Sequence, residues 1–279
     1  MLKMSLLRGV CQTPAYVAQE MGFFREEGLD LEVEIASTAW LIPQKLQDGE
    51  AQFAVMPWTR VAAAPKGTLL LLAGSGLEEA AVVLRKECPE DQVKRVVIPL
   101  RGGIKDLTAM GLIRSLGWDD VEIWRQPSGD GAIISFFGEG ADAASMVEPY
   151  TTMMVSMGIG RVMRRTGDLW KGAPGCSLTT THAFRDREPE TVSAAVRSFA
   201  RGAEFVQQKP DQAAEIASPY IGINHRFIRE AFDHNLPSVD AIRNDDAMNE
   251  VMQLMVDLGY LEAIPAGFKD LSFLDAAQA

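Results

Sequence analysis

Gln12–Asp30, QTPAYVAQEMGFFREEGLD, decides the fold, and it directly follows the strand-like opening Lys3–Arg8. Thr13 is expected to cap a helix and Pro14 to take its first position, where the missing N–H costs nothing. Val17, Met21 and Phe24 recur at helical spacing, while Gln19, Glu20 and Arg25 face away from that stripe. Gly28 permits a reversal into Leu29–Ile35, apolar and acidic by turns, which reads as a half-buried strand. The spacing predicts a β-α-β unit.

The alternation continues outward from that unit. A helix near Leu41–Asp48, a strand Phe53–Met56, a short helix near Thr59–Ala64 and strands Leu69–Ala73 and Ala80–Leu84 complete a first series. After the charged, turn-rich Arg85–Asp91, a second series follows. It has strands Val93–Pro99, Val121–Trp124 and Ala141–Met146, with helices Asp106–Leu116, Asp130–Phe137 and Tyr150–Met157. Strands alternating with helices imply mostly parallel sheets covered on both faces. Beyond Thr179–Thr181 the pattern is helical: Val192, Val196, Phe199, Ala203 and Val206 step by four and three, as do Met248, Val251, Met252 and Met255.

Pro14–Ala18, Gly22-Phe23-Phe24, Glu27–Leu31, Leu46–Gly49 and Phe53-Ala54-Val55 resemble the opening of the solute-binding proteins for nitrate, sulfonates, taurine and thiamine-pyrimidine precursors. Looser similarity runs through Gly111–Gly117, Val147-Glu148-Pro149 and the Pro189–Pro210 helix. The resemblance implies a two-lobed α/β fold of the type 2 periplasmic-binding-protein kind, each lobe a mostly parallel sheet flanked by helices. Two crossover segments form the hinge, expected near Leu84–Cys88 and Leu178–His182. Residues 1–86 plus 182–279 then form lobe one, and 87–181 lobe two. It also implies a monomer working with an ABC permease.

In open parallel sheets a ligand lies beyond the carboxyl ends of the strands, where helix N-termini offer unpaired N–H groups. The loops there carry Cys11, Gln12, Thr13, Tyr16, Ser37, Thr38, Trp40, Trp58 and Thr59, a set of hydrogen-bonding groups and flat aromatic faces suited to a small planar or partly apolar solute. The competing reading makes the tryptophans packing residues and the hydroxyls helix caps. In the second lobe, Arg101, Gly103 and Lys105 sit on a glycine turn before a helix and favour carboxylate, sulfonate or phosphate. The family resembled commonly shows small polar residues at that turn, and a solvated basic loop is the alternative. Neither a Walker motif nor a dinucleotide motif is present. Glu148 and Tyr150, with Asp130, complete the candidates; Glu148 is placed to accept from an amine or ring N–H.

A net charge of −11 over 279 residues argues against nucleic acid or an anionic membrane as partner. No run approaches a membrane span. Met1–Leu7 is too short for a signal peptide and is interrupted by Arg8 and Gly9. The chain therefore reads as cytoplasmic if Met1 is the native start, and as periplasmic or extracellular if an export signal has been removed. Cys11, Cys88 and Cys176 are scattered, without CxxC or a nearby histidine, so neither a disulfide framework nor a metal site is indicated and no cofactor is expected.

The reading that follows is solute capture between two lobes by hinge closure, for ABC-type import of a sulfonate, carboxylate or pyrimidine-like molecule. The alternative is a cytoplasmic enzyme of the same fold acting on a small aromatic or heterocyclic substrate. Cys11 is its weak candidate nucleophile, because a desulfinase sharing this fold has a cysteine in a corresponding early loop. The desulfinase's wider signature is not matched here, nor are the cysteine-rich motif and cofactor lysine and histidine of the eukaryotic thiamine-pyrimidine synthases. A cytoplasmic sensor or partner-bound subunit is a third reading.

Overall fold

The computed structural model describes residues 1–118, 120–126, 129–235 and 237–279, with Gly129 and Asp130 described by backbone alone. The first half of the chain runs β1 (Leu2–Leu6), α1 (Thr13–Glu20), α2 (Phe23–Glu26), β2 (Leu31–Ile35), α3 (Ile42–Gln47), β3 (Phe53–Pro57), α4 (Trp58–Ala62), β4 (Leu69–Gly74), β5 (Ala80–Arg85), β6 (Arg95–Pro99), α5 (Ile104–Leu116), β7 (Glu122–Gln126) and α6 (Gly129–Phe137). It continues through β8 (Ala143–Val147), α7 (Tyr150–Ser156), β9 (Gly160–Arg165), α8 (Thr166–Leu169), β10 (Cys176–Thr181), α9 (His182–Arg187), α10 (Pro189–Gln208), α11 (Pro210–Ile221), α12 (His225–Ala231), α13 (Asp245–Asp257) and α14 (Ser272–Gln278).

The opening β-α-β unit forms, with β1 and β2 parallel from Leu2↔Leu31 to Leu6↔Ile35. Its helix differs from expectation in two ways. Gly22, at φ +78°, breaks it into α1 and α2 and leaves Met21 exposed, although Val17 and Phe24 are buried. Thr13 is not the cap: it is the first helical residue, and its hydroxyl donates back to the Val10 carbonyl at 2.7 Å. Gly28, at φ +76°, makes the reversal as expected, because a left-handed residue there costs glycine nothing.

Two five-stranded sheets result, ordered β2-β1-β3-β10-β4 and β7-β6-β8-β5-β9. In the first, β10 lies antiparallel between β3 and β4; in the second, β5 lies antiparallel between β8 and β9. The sheets are therefore mixed, each with one strand opposed to the other four. In both cases the opposed strand is the one that has just crossed from the other sheet. This shifts the expected crossings: β5 belongs to the second sheet and β10 to the first, so the chain crosses between β4 and β5 and again ahead of β10. The apolar run Ala80–Leu84 fits either sheet equally well, which hid the crossing, and the charged Arg85–Asp91 is only the turn from β5 to β6.

The two crossings pair with each other. Gly175 N–H donates to the Gly76 carbonyl at 2.9 Å, Glu78 N–H to Ala173 at 2.9 Å and Ser75 N–H to Cys176 at 3.0 Å, giving a two-stranded ribbon between the sheets. Strand β9 and helix α8 were not expected at all, because the three arginines of GRVMRR obscure the alternation of a strand.

Both faces of the first sheet are covered. The stripe Val192, Val196, Phe199, Ala203 and Val206 of α10 packs with α1 and α11 on one face, and Met248, Val251, Met252 and Met255 of α13 pack on the other. Helix α10 approaches α1 so closely that a Cβ on Gly202 would fall 2.1 Å from the Pro14 carbonyl. The second sheet is sandwiched in the same way, with Ala109 and Leu112 of α5 on one side and Phe136 and Met154 of α6 and α7 on the other.

Candidate functional site

The carboxyl ends of the strands of both sheets face each other across a cavity of about 400 Å³. The first lobe contributes the turn after β1 (Arg8, Cys11, Gln12), the turn after β2 (Thr38, Trp40) and Arg60 of α4. From the second come Leu100, Gly103 and Lys105 after β6, Ile133 of α6, and Met146 and Tyr150 around the end of β8. Glu79 and Cys176, at the ends of the two crossings, close the back. That volume is suited to a small molecule.

Of the residues expected to bind, Cys11, Gln12, Ser37, Thr38, Trp40, Gly103, Lys105 and Tyr150 stand on this wall. Trp40 projects at the rim, 48% exposed. Gln12 is already engaged, accepting from Leu7 N–H at 3.1 Å and donating to Cys11 Sγ at 3.2 Å, so it shapes the first turn.

Thr13, Tyr16, Trp58, Thr59, Arg101 and Glu148 are not among the lining residues, and each has another partner. Tyr16 is buried, stacks on Tyr220 with ring centroids 4.4 Å apart and donates its hydroxyl to the Leu7 carbonyl. Trp58 is fully buried, donates Nε1–H to Pro174 O at 2.8 Å and stacks on Phe268. Thr59 donates across the cleft to the Gly102 carbonyl at 2.7 Å. The Arg101 guanidinium lies 5.8 Å from the Tyr260 ring. Glu148 is buried and takes Arg165 Nη1 at 2.9 Å and Thr152 N–H at 3.0 Å. The Asp130 side chain lies outside the described residues.

The glycine turn before α5 is less open to an anion than its sequence implies. Gly102 N–H already donates to Asp106 Oδ2 at 2.8 Å, and the other carboxylate oxygen of this fully buried aspartate takes Arg125 Nη1 at 2.8 Å. Asp106 thus takes the Gly102 N–H, and Lys105 is the basic residue of this loop that lines the cavity.

Sequence reasoning passed over Arg60, Arg8, Glu79 and Cys176. Arg60 lies one helical residue beyond Thr59, and nothing in the sequence marks its direction. Its Nη2 donates to the Arg101 carbonyl at 3.0 Å, while its buried Nε has no hydrogen-bonding partner among the described residues. Burial draws Arg60 below the usual arginine value and the charge of Asp106 opposes that, leaving a partly desolvated cation on the cavity wall.

At the back of the cavity Glu79 accepts Cys176 N–H at 3.0 Å, and Cys176 Sγ lies 3.3 Å from its other oxygen. Burial raises the Glu79 carboxyl, outweighing its hydrogen bonds with the two thiols. The Cys11 thiol is favoured as thiolate by its hydrogen bond with Cys176, yet burial and the charge of Glu79 outweigh this and lift it above its ordinary value. Its bond with Cys11, with burial, lifts Cys176 further. Both shifts favour the thiol over the thiolate, the reverse of the lowering that activates a nucleophilic cysteine.

The structure resembles solved solute-binding proteins along nearly its whole length. The ligand-binding component of an ABC-type import system from Staphylococcus aureus, solved with zinc bound, superposes with a TM-score of 0.84 at 13% identity, covering 99% of this chain and 98% of that one. The periplasmic nitrate-binding protein NrtA from Synechocystis PCC 6803 gives 0.82 at 15% identity over 99% and 87%. The periplasmic aliphatic sulphonate-binding protein SsuA from Escherichia coli gives 0.77 at 14% identity over 94% and 94%. At such identities the likeness is one of fold. No curated protein matches the sequence. The sequence profile of the NMT1-like family matches residues 1–220, well over half of the chain, and the chain belongs to that family.

Proposed function

We propose that this protein captures a small anionic molecule with a flat or apolar body between its lobes and presents it to an ABC-type importer. The observation that carries this reading is Arg60, a half-buried guanidinium on the wall of an interlobe cavity that Arg8 and Lys105 also line. A carboxylate or sulfonate held there would meet a wall carrying three cationic side chains, and a hydrogen bond to a charged group contributes about 1.5–3 kcal/mol. Trp40, Leu100, Ile133 and Met146 offer apolar surface for the rest of the solute.

Hinge closure accompanies capture. The ribbon at 74–79 and 173–176 joins the lobes, and contacts made by both lobes with one solute favour the closed arrangement. We take the lobe bounds at this ribbon, with residues 1–74 and 176–279 as one lobe. Import is further supported by solved examples of the fold, of which NrtA and SsuA are periplasmic binding proteins. Among the described residues no helix is long and apolar enough to cross a membrane.

Thermal unfolding in a panel of sulfonates, carboxylates, aromatic acids and pyrimidines, run with a chelator present, tests the reading. At least one anion is expected to raise the midpoint by mass action, and Arg60→Gln to lose most of that gain. No ligand-linked shift anywhere in the panel would sink it.

A further inference from the structure

The back wall of the cavity holds a cluster with chemistry of its own. Cys11 Sγ, Cys176 Sγ and a carboxylate oxygen of Glu79 lie within 4.8 Å of one another, and all three residues are buried. The fold builds this convergence deliberately from distant sequence. Ser75 donates its N–H to the Cys176 carbonyl at 3.0 Å and its hydroxyl to the Cys11 carbonyl, tying the two cysteine backbones together. Cys176 N–H fixes Glu79 Oε2. Two glycines make the space: a Cβ on Gly175 would fall 2.2 Å from Glu79 Cδ, and one on Gly76 would fall 3.0 Å from Cys11 Cβ.

A second observation points into the same place. Asn235 is 1% exposed, and neither polar atom of its amide has a partner among the described residues. Its Oδ1 and Glu79 Oε2 lie 2.9 and 3.2 Å from the position a Cβ on Gly76 would take, so the orphaned amide stands beside the cluster. A buried amide left unpaired is destabilising, and a ligand held here, or a water on that ligand, would offset that.

The geometry points to a binding site for a thiophilic divalent cation of the zinc class, held by Cys11 Sγ, Cys176 Sγ and the Glu79 carboxylate. Tetrahedral zinc with bonds of about 2.3 Å to sulfur and 2.1 Å to oxygen sets its ligand atoms roughly 3.6–3.8 Å apart, so the three groups need move by about 1 Å or less. Two sulfurs exclude calcium and magnesium, which require oxygen shells. All three residues line the cavity, so the fourth position opens onto it, as in zinc sites that keep an exchangeable ligand. Binding expels the two thiol protons and leaves one net negative charge on the cluster, and Lys105 acts on Glu79 from the opposite lobe to balance it.

The test is Co2+ titration of the purified, reduced Cys88→Ser chain, which keeps the cluster and removes the half-exposed third thiol. One Co2+ per chain is expected, with the near-ultraviolet band of thiolate-to-cobalt charge transfer, displaced by one equivalent of Zn2+ and accompanied by proton release. Adding Cys11→Ser or Cys176→Ser, each checked for folding by circular dichroism, is expected to weaken binding at least about tenfold, since even groups that merely orient metal ligands are worth that much. Absence of the band in Cys88→Ser, or binding unchanged by both further substitutions, overturns the site. So does a Cys11–Cys176 disulfide that persists in the reduced preparation. The solute panel is read with chelator and this titration without solute, so either reading can fail alone.

Discussion

The Glu148 carbonyl accepts the Val10 N–H across the cleft at 3.0 Å, while the carboxylate of the same residue turns inward to Arg165 at 2.9 Å. Glu148 therefore joins the lobes through its backbone, and its side chain anchors the strand end that presents that carbonyl. The carboxylate is wholly buried and Arg165 is 21% exposed. Arg165→Met leaves an unpaired charge in the interior and is expected to cost about 3 kcal/mol in urea unfolding, whereas the double variant Arg165→Met/Glu148→Gln recovers part of it. Equal losses in single and double variants would mean that the pair is not the source.

Thr59 and Gly102 make a second tie between lobes. Thr59→Val keeps the shape but removes the donor to Gly102 at 2.7 Å. The loss of about 1 kcal/mol from the closed arrangement alone is expected to shift the open-to-closed ratio roughly fivefold toward open. Distance measurements between labels on the two lobes would read this, and an unchanged ratio would show that the contact does not differ between the two arrangements.

Trp40 and Trp58 share a residue type and a position after a strand, yet they have different work. Trp58→Ala empties a fully buried site and strips the Pro174 carbonyl of its donor, with an expected cost of about 3–5 kcal/mol. Trp40→Ala is expected to leave stability within about 0.5 kcal/mol while weakening any solute found by the thermal panel. Paired urea melts and titrations decide it; a stability loss at Trp40 to match that at Trp58 would move Trp40 into the packing class.

This contrast marks where the sequence is legible. Local signals were enough for the repeated strands and helices: the stripe on α10, the glycine reversal at Gly28 and the pattern of Met248 to Met255 each depend on neighbours a few residues away. Long-range pairing was not visible. Ala80–Leu84 carries no mark of which sheet receives it, so both crossings were displaced, and with them Cys176, which β10 brings beside Cys11 although 165 positions separate their numbers. The cavity is lined by loops beyond the strand ends, a placement that follows from topology. Side-chain direction within them did not follow: Arg60 lines the cavity while its neighbour Thr59 does not, and the Asp106 carboxylate takes the Gly102 N–H of its own loop.

Asp270 gives a pH dependence whose sign is fixed by its partners. Burial raises its carboxyl, but the Ser272 hydroxyl at 2.6 Å, the Ser272 N–H at 3.1 Å and Arg185 Nη1 at 2.7 Å outweigh that and hold it below the usual aspartate value. Between the lowered folded value and the ordinary unfolded one, the unfolded chain binds more protons than the native state, so the stability this group contributes is fully present above the unfolded value and is lost as pH falls through the folded one. Other carboxylates titrate in the same range, so the informative quantity is the difference between the wild-type chain and Asp270→Asn. Urea unfolding is expected to show the wild-type chain more stable at neutral pH, with the gap narrowing on acidification through the aspartate range. A gap that stayed constant with pH would assign the effect of the substitution to altered packing at the start of α14 instead of to the charge on Asp270.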